Sequence, residues 1–236
     1  LDVEVRLYAT REHFDELVGE ARSWKSQRVR LAGLKIFTDG TLNSRTAHML
    51  QPFADPLPGH PCGKALMSGA EIEEAVRHAD RLGYPIAAHA IGDGAVRATL
   101  DAIERARPTA MGQRIEHAQF VDEADIPRFA APGVIASLQP CHLLTDIEGI
   151  RRLTPSRAER AFPLRDLIDA AVAAGFEARD LVWLGSDAPI VPPTPGDNVQ
   201  AATARRRAGM PADEAVGMSQ AITEAEALAL MHAQEA

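Results

Sequence analysis

The stretch SGAEIEEAVRHADRLGYPIAAHA, Ser68–Ala90, decides the fold class. Its first half is a helix by its own punctuation. Ser68 and Glu71 form an S-x-x-E capping pair, Ile72, Ala75, Val76, Ala79 and Leu82 recur at helical spacing, and Gly83 stands where a C-terminal cap belongs. Its second half, Tyr84–Ala90, is a short apolar run of strand length with a histidine, His89, one residue before its end. Helix, glycine, strand is the grammar of a parallel α/β protein, in which each strand is joined to the next by a right-handed helical crossover.

The same unit recurs along the chain. Strands are expected at Val3–Ala9, Val29–Phe37, Tyr84–Ala90, Arg114–Phe120, Val134–Pro140 and Leu181–Asp187. Helices are expected at Ser68–Leu82, Gly94–Ala106, with Asp93 as its cap, Leu164–Ala174 and Glu224–Gln234. Gly133 and Gly175 repeat the punctuation of Gly83. Two stretches, Thr38–Met67 and Cys141–Phe162, read as long linkers, and long loops after strands tend to carry function.

Composition narrows the class. The chain has 236 residues, 46% of them hydrophobic, which is enough for one full core, so residues 1–236 are read as one domain. A net charge of -8 argues against a nucleic-acid partner. Arg205–Arg207, the one tight basic cluster, reads as a solvated helix face. No apolar stretch approaches the ~20 residues that span a bilayer, so no membrane partner is expected. Cys62 and Cys141 form no CxxC pair, which suits free thiols in a reducing, cytoplasmic setting, and neither lies at an obvious helix start beside a base. HExxH, G-x-S-x-G, Walker A and G-x-G-x-x-G patterns are all absent.

Four polar residues fall at or near the C-terminal ends of these strands: Lys35, His89, His117 and Asp187. In a (β/α)8 barrel those ends converge on one face, so large separations in sequence are no obstacle to a shared site. Two neutral imidazoles and a carboxylate suit a divalent metal such as zinc, and such a metal brings a bound water to a pKa of ~7. A carboxylate beside that water can take its proton and pass it to the leaving group. A lysine ammonium is a poor ligand, whereas a carbamate on Lys35 would present two anionic oxygens. Each residue alone has an ordinary structural reading: a satisfied histidine, a lysine reaching to water, or a turn-forming aspartate ahead of Ala188-Pro189.

Five motifs in order carry a resemblance. Lys35–Ala47 (KIFTDGTLNSRTA), His89–Asp93 (HAIGD), Arg114–Gln119 (RIEHAQ), Gln139–His142 (QPCH) and Gly185–Pro189 (GSDAP) resemble the amidohydrolase superfamily, in the family 3 branch that includes N-substituted formamide deformylase. The resemblance implies a TIM-type barrel, with Lys35, His89, His117 and Asp187 on its strands 4, 5, 6 and 8. It implies a metal-dependent hydrolase of amide or other non-peptide C–N bonds, holding one or two zinc ions, with Lys35 as carbamate bridge, His89 and His117 holding one metal, and Asp187 as metal ligand and general base. The partner is then a small-molecule substrate. Gln139 and His142 would face that substrate or form a structural turn, while Arg45 and Asp39 would orient substrate or bind each other.

One departure is large: the superfamily's strand-1 His-x-His pair occurs nowhere here. The first strand matches strand 3, so the chain reads as an incomplete barrel of strands 3–8, without the family's C-terminal β-rich extension. Two ligands short, it is expected to be impaired, and its open sheet edges invite a homo-oligomer or a strand-swapped dimer. The competing reading is a non-catalytic binding or regulatory module with vestigial site residues.

Overall fold

The computed structural model describes residues 3–26 and 28–231. Six strands form one sheet: β1 (Val5–Thr10), β2 (Val29–Phe37), β3 (Ile86–Ala90), β4 (Arg114–His117), β5 (Ile135–Leu138) and β6 (Val182–Leu184). They pair in sequence order and every pairing is parallel. That order is decisive. A doubly wound sheet reverses its strand order at a switch point, whereas right-handed crossovers between successive neighbours build a barrel wall. The outer edges of β1 and β6 pair with no strand among the described residues.

The helices are α1 (Phe14–Ala21), α2 (Gly69–Arg81), α3 (Asp93–Ala106), α4 (Cys141–Leu153), α5 (Leu164–Ala173), α6 (Ala178–Leu181), α7 (Pro195–Ala204) and α8 (Glu224–Met231). The last residues of the expected Glu224–Gln234 helix lie outside the described residues. Among the described residues no helix is long and apolar enough to cross a membrane.

Successive side chains of a strand face opposite ways, and here the two faces differ in chemistry. Leu34, Ile36, Ile86, Ala88, Ile115, Ala136, Leu138, Val182 and Leu184 join the buried core beneath the helices. Lys35, Arg114, Glu116, Ser137 and Tyr8 line the other face, around a cavity of about 300 Å³. There Arg114 lies over the Tyr8 ring at 4.5 Å and pairs with Glu116 at 2.6 Å.

The capping box that opens α2 is complete. The Glu71 amide donates to Ser68 Oγ, and the Ser68 amide donates to Glu71 Oε2. Ser68→Ala should therefore cost about 1 kcal/mol in urea denaturation, with an unchanged dependence on denaturant. Asp93 does not cap α3; Gly92 holds that position, and the Asp93 carboxylate accepts from the Leu50 amide at 2.7 Å.

Two further expectations are corrected. Cys141–Phe162 is no linker: its first thirteen residues form α4, because Leu143, Ile147, Ile150 and Leu153 make a buried stripe at helical spacing, and a 3-10 turn at Pro155–Arg160 follows. Arg205 is fully buried rather than solvated. It ends α7 in the left-handed backbone region and donates to the carbonyls of Ala161, Phe162 and Val216. Its neighbour Arg207 pairs with Glu148 at the surface.

The loop 38–67 packs over the C-terminal ends of the strands. Leu42, Ala47, Met49 and Phe53 form a second apolar cluster with Ile91, Phe120 and the buried stripe of α4. This cluster roofs the face toward which Lys35, His89, His117 and Asp187 point.

Candidate metal centre

His89 and His117 stand side by side at the ends of β3 and β4, with ring centroids 4.5 Å apart in an edge-to-face arrangement. The two arrive there differently. His89 lies on the same face of β3 as Ala87, so the pleat alone delivers it. His117 shares the parity of Ile115, which points to the helices, and regular pleating would turn it the same way. Its φ of 75° breaks the pleat and swings the imidazole onto His89. Ala118 follows at 41°, and Asp187 sits at 58°. Non-glycine residues rarely hold such backbone, and where they do the cost tends to be supported by function.

Burial keeps both rings neutral. It lowers the pKa of His89, against the Gly40 carbonyl, which raises it; Nε2 lies 3.1 Å from that oxygen. With Nε2–H donated to Gly40, Nδ1 keeps its lone pair. Burial likewise holds His117 well below the ordinary histidine value, helped by His89, Lys35 and His142. Lys35 is also held below the usual lysine range, first by burial and then by Arg114, against Glu116 and Asp187.

Lys35, His117 and Asp187 form the partition between two cavities. On one side is the interior space of about 300 Å³; on the other is a mouth of about 670 Å³ lined also by Phe37, His89, His142 and Ile190. His142, on the first turn of α4, places Nε2 3.7 Å from Asp187 Oδ2. That nitrogen is buried without a hydrogen-bond partner, as is Oε1 of Gln139. Gln139 faces the interior cavity and donates its amide to the Ser137 carbonyl at 3.0 Å.

The donor set fits a divalent cation through its chemistry: two adjacent neutral imidazoles, an unpartnered third imidazole and a carboxylate. Among the described residues no three His, Cys, Asp or Glu side chains are gathered tightly enough to enclose an ion. Closing a shell around His89 and His117 therefore takes a further donor, from Lys35 as a carbamate or from Asp187 after a side-chain rotation.

Arg45 is not brought into this cluster. It binds Asp55 at 3.0 Å, and it does not pair with Asp39. Asp39 is instead the hub of the roof, where its buried carboxylate accepts from the amides of His48, Ile91 and Gly92 at 2.8–3.0 Å. Gly92 is required at that junction, since a Cβ there would lie 2.1 Å from the His48 carbonyl oxygen. Burial raises the Asp39 pKa to about 7, although the three amides act to lower it. A pKa above the unfolded value means that the folded state binds the proton more tightly. The stability this confers is present in full below about pH 4 and is lost as pH rises through about 7. The stability of the parent chain minus that of Asp39→Asn should thus fall between pH 4 and 7 in urea titrations; a rising difference would show the folded carboxyl to be ionised throughout.

Cys141 is the first residue of α4, contrary to expectation, but burial pushes its thiol up to about 11, which leaves it no nucleophile at neutral pH. Both cysteines are free. Four site residues, Asn43, Gln119, Asp146 and Asn198, were not anticipated from the sequence. Asn198 accepts from the Cys141 amide and donates to the Gly185 carbonyl, tying α4 to the end of β6. Asn43 and Gln119 both donate to Asp146. Asn43 and Gln119 fall inside two of the quoted motifs, but the sequence gives them no role, and only their meeting at Asp146 reveals one.

Comparison with known proteins agrees with the geometry. The sequence pattern described as "Amidohydrolase family" matches residues 6–236. The chain belongs to the amidohydrolase family. It is 33% identical over 180 residues to the Bacillus subtilis (strain 168) protein named "Putative amidohydrolase YtcJ", an alignment covering 75% of this chain and 32% of that protein. Two solved structures, of uncharacterized metal-dependent hydrolases from Pyrococcus furiosus and Pyrococcus horikoshii OT3, superpose with TM-scores of 0.76 and 0.78 at 31% and 30% identity. They cover 98% and 96% of this chain, which spans 45% and 44% of theirs. The chain thus spans about a third of that curated relative and less than half of these structures.

Proposed function

We propose that the strand-end cluster serves the hydrolysis of an amide or other non-peptide C–N bond in a small molecule, with a divalent metal, zinc by its donor chemistry, held by His89 and His117. The observation that carries this reading is the pairing of two neutral imidazoles, one of them reached through left-handed backbone, beside Asp187 at the mouth of a cavity. A metal held by His89 and His117 would supply a water acidified to a pKa of ~7.

The chain's own residues do the rest. Asp187 Oδ2 takes the proton of the attacking water and returns it to the leaving nitrogen as the C–N bond breaks. His142 stands beside that carboxylate, its Nε2 3.7 Å from Oδ2. Lys35, half-buried in the partition and with its ammonium destabilised, is the amine suited to add carbon dioxide, because only the uncharged amine is a nucleophile. Gln139 and Ser137 line the interior side of the same partition. Phe37 and Ile190 give the mouth a solvent-exposed apolar wall on which the body of a substrate can lie.

The test is a zinc titration of the purified chain followed by an amide panel of formamides, acetamides and anilides. Zinc binding, together with hydrolysis of one amide class that Asp187→Asn abolishes, supports the reading. Ligand binding without metal, unaffected by changes at His117 or Asp187, overturns it in favour of a non-catalytic binding module.

A further inference from the structure

The mouth cavity has a second charged group, set apart from the strand-end cluster. Asp146 lies on α4 four residues beyond His142, so the two share a helix face and stand about 6 Å apart. It is buried, and it lines the cavity together with Asn43 and Gln119. Oδ1 accepts from Asn43 Nδ2 at 2.7 Å and Oδ2 from Gln119 Nε2 at 3.0 Å.

Both donors are neutral amides. Among the described residues no arginine or lysine acts on this carboxylate, and His142 is the one charge-bearing side chain that does. Asp125, by contrast, takes both Arg97 and Arg128, whereas Asp39 resembles Asp146 in being held by neutral amides, but in the roof rather than in the wall of the mouth cavity. An ionised carboxylate accepts about four hydrogen bonds, and two are made here. A buried anion without a counter-ion is costly, and burial accordingly raises the pKa of Asp146.

The approach of the loop to α4 is built in. A Cβ at Gly149 would stand 2.2 Å from Asn43 Oδ1, so a glycine is needed for Asn43 to reach Asp146. The amides hold the carboxylate at the cavity wall, and the rest of that wall includes the apolar side chains of Phe37, Leu42, Ile91 and Ile190.

We infer that Asp146 is the recognition anchor of the mouth cavity and takes a cationic group, a protonated amine or amidine, of a ligand whose apolar body lies on Phe37, Leu42 and Ile190. Where the hydrolase reading above holds, on which the word substrate rests, the substrate class is an amide that carries a protonated amine. Its cationic end then sits about one helical turn from His142, and its carbonyl faces His89 and His117. Recognition of the cation itself requires no metal.

The test is calorimetric titration of the purified chain at neutral pH with benzylamine, benzyl alcohol and benzoate, which share a ring and differ in charge. Benzylamine is expected to bind at least about tenfold more tightly than benzyl alcohol, and benzoate weakest. Asp146→Asn should abolish the preference for the cation, whereas Asp169→Asn, which removes an exposed carboxylate on α5 away from the cavity, should retain it. Equal binding of amine and alcohol, no binding of the amine, or an undiminished preference in Asp146→Asn overturns the proposal and leaves Asp146 as a tie between the loop and α4. Should Asp146→Asn fail to fold, a crystal of the parent chain soaked in benzylamine decides: an ammonium on the Asp146 carboxylate supports the proposal, and an ammonium elsewhere overturns it. Zinc titration of the same samples separates the two readings. Amine preference without zinc binding sinks only the hydrolase reading, and zinc binding without amine preference sinks only this one.

Discussion

Replacement of Arg205 by leucine is expected to destabilise the chain by about 3–5 kcal/mol. The guanidinium is wholly buried, and its forked N–H groups reach three carbonyls on two separate segments, Ala161 and Phe162 on one side and Val216 on the other. Burial brings its pKa down to about 10, which still leaves it charged at neutral pH, and Glu159 helps to retain that charge. Leucine fills part of the space but strands the carbonyls, each costing about 1–3 kcal/mol when buried and unpaired. Lysine should rescue little, since a single ammonium cannot span the fork. Gly217, whose Cβ would stand 2.9 Å from the guanidinium, shows how closely the backbone is drawn around it. Equilibrium urea denaturation measures the loss. A change below about 1 kcal/mol would mean that the carbonyls find water instead.

The second large effect is expected at His117. His117→Ala should weaken zinc binding by more than about a hundredfold in a competitive chelator titration, because it removes one of two adjacent neutral nitrogen donors; changing even the partners of such ligands costs 10–100-fold. His60→Ala, in the exposed part of the loop, should leave zinc affinity unchanged. A further comparison isolates the backbone. His117 holds a φ of 75°, so His117→Gly should be about 1 kcal/mol more stable than His117→Ala while losing zinc equally. Equal stability of the two variants would mean that the left-handed turn relaxes once the imidazole is gone.

Much of the fold was legible because it repeats. Apolar runs of strand length alternate with amphipathic helices, and Gly83, Gly133 and Gly175 all adopt the positive φ their spacing suggests. The boundaries moved where a neighbour intervened: Leu181 closes the short helix α6 rather than opening β6. The reading failed at Cys141–Phe162 because charged residues there mask a buried stripe, and at Arg205 because a cationic triplet reads as surface whenever its acceptors are backbone carbonyls. Arg45 was misjudged for a related reason, since a motif position does not disclose which carboxylate, here Asp55, lies nearest.

The candidate site divides in the same way. By itself the sequence placed Lys35 and His89 on one rim, because a period of two and a strand end suffice; Asp187 lies three residues beyond β6 with a φ of 58°, so the loop and not the strand's pleat aims it there. It also determined the family, through motifs whose order survives in the structure. Only the tertiary structure decided that His117 meets His89, since that contact depends on one backbone torsion opposing the pleat. The placing of Asp146 at the cavity wall between Asn43 and Gln119 was likewise a tertiary outcome. Hydrogen bonds spanning 103 and 27 residues arise from packing, and no local pattern of polar and apolar residues encodes them.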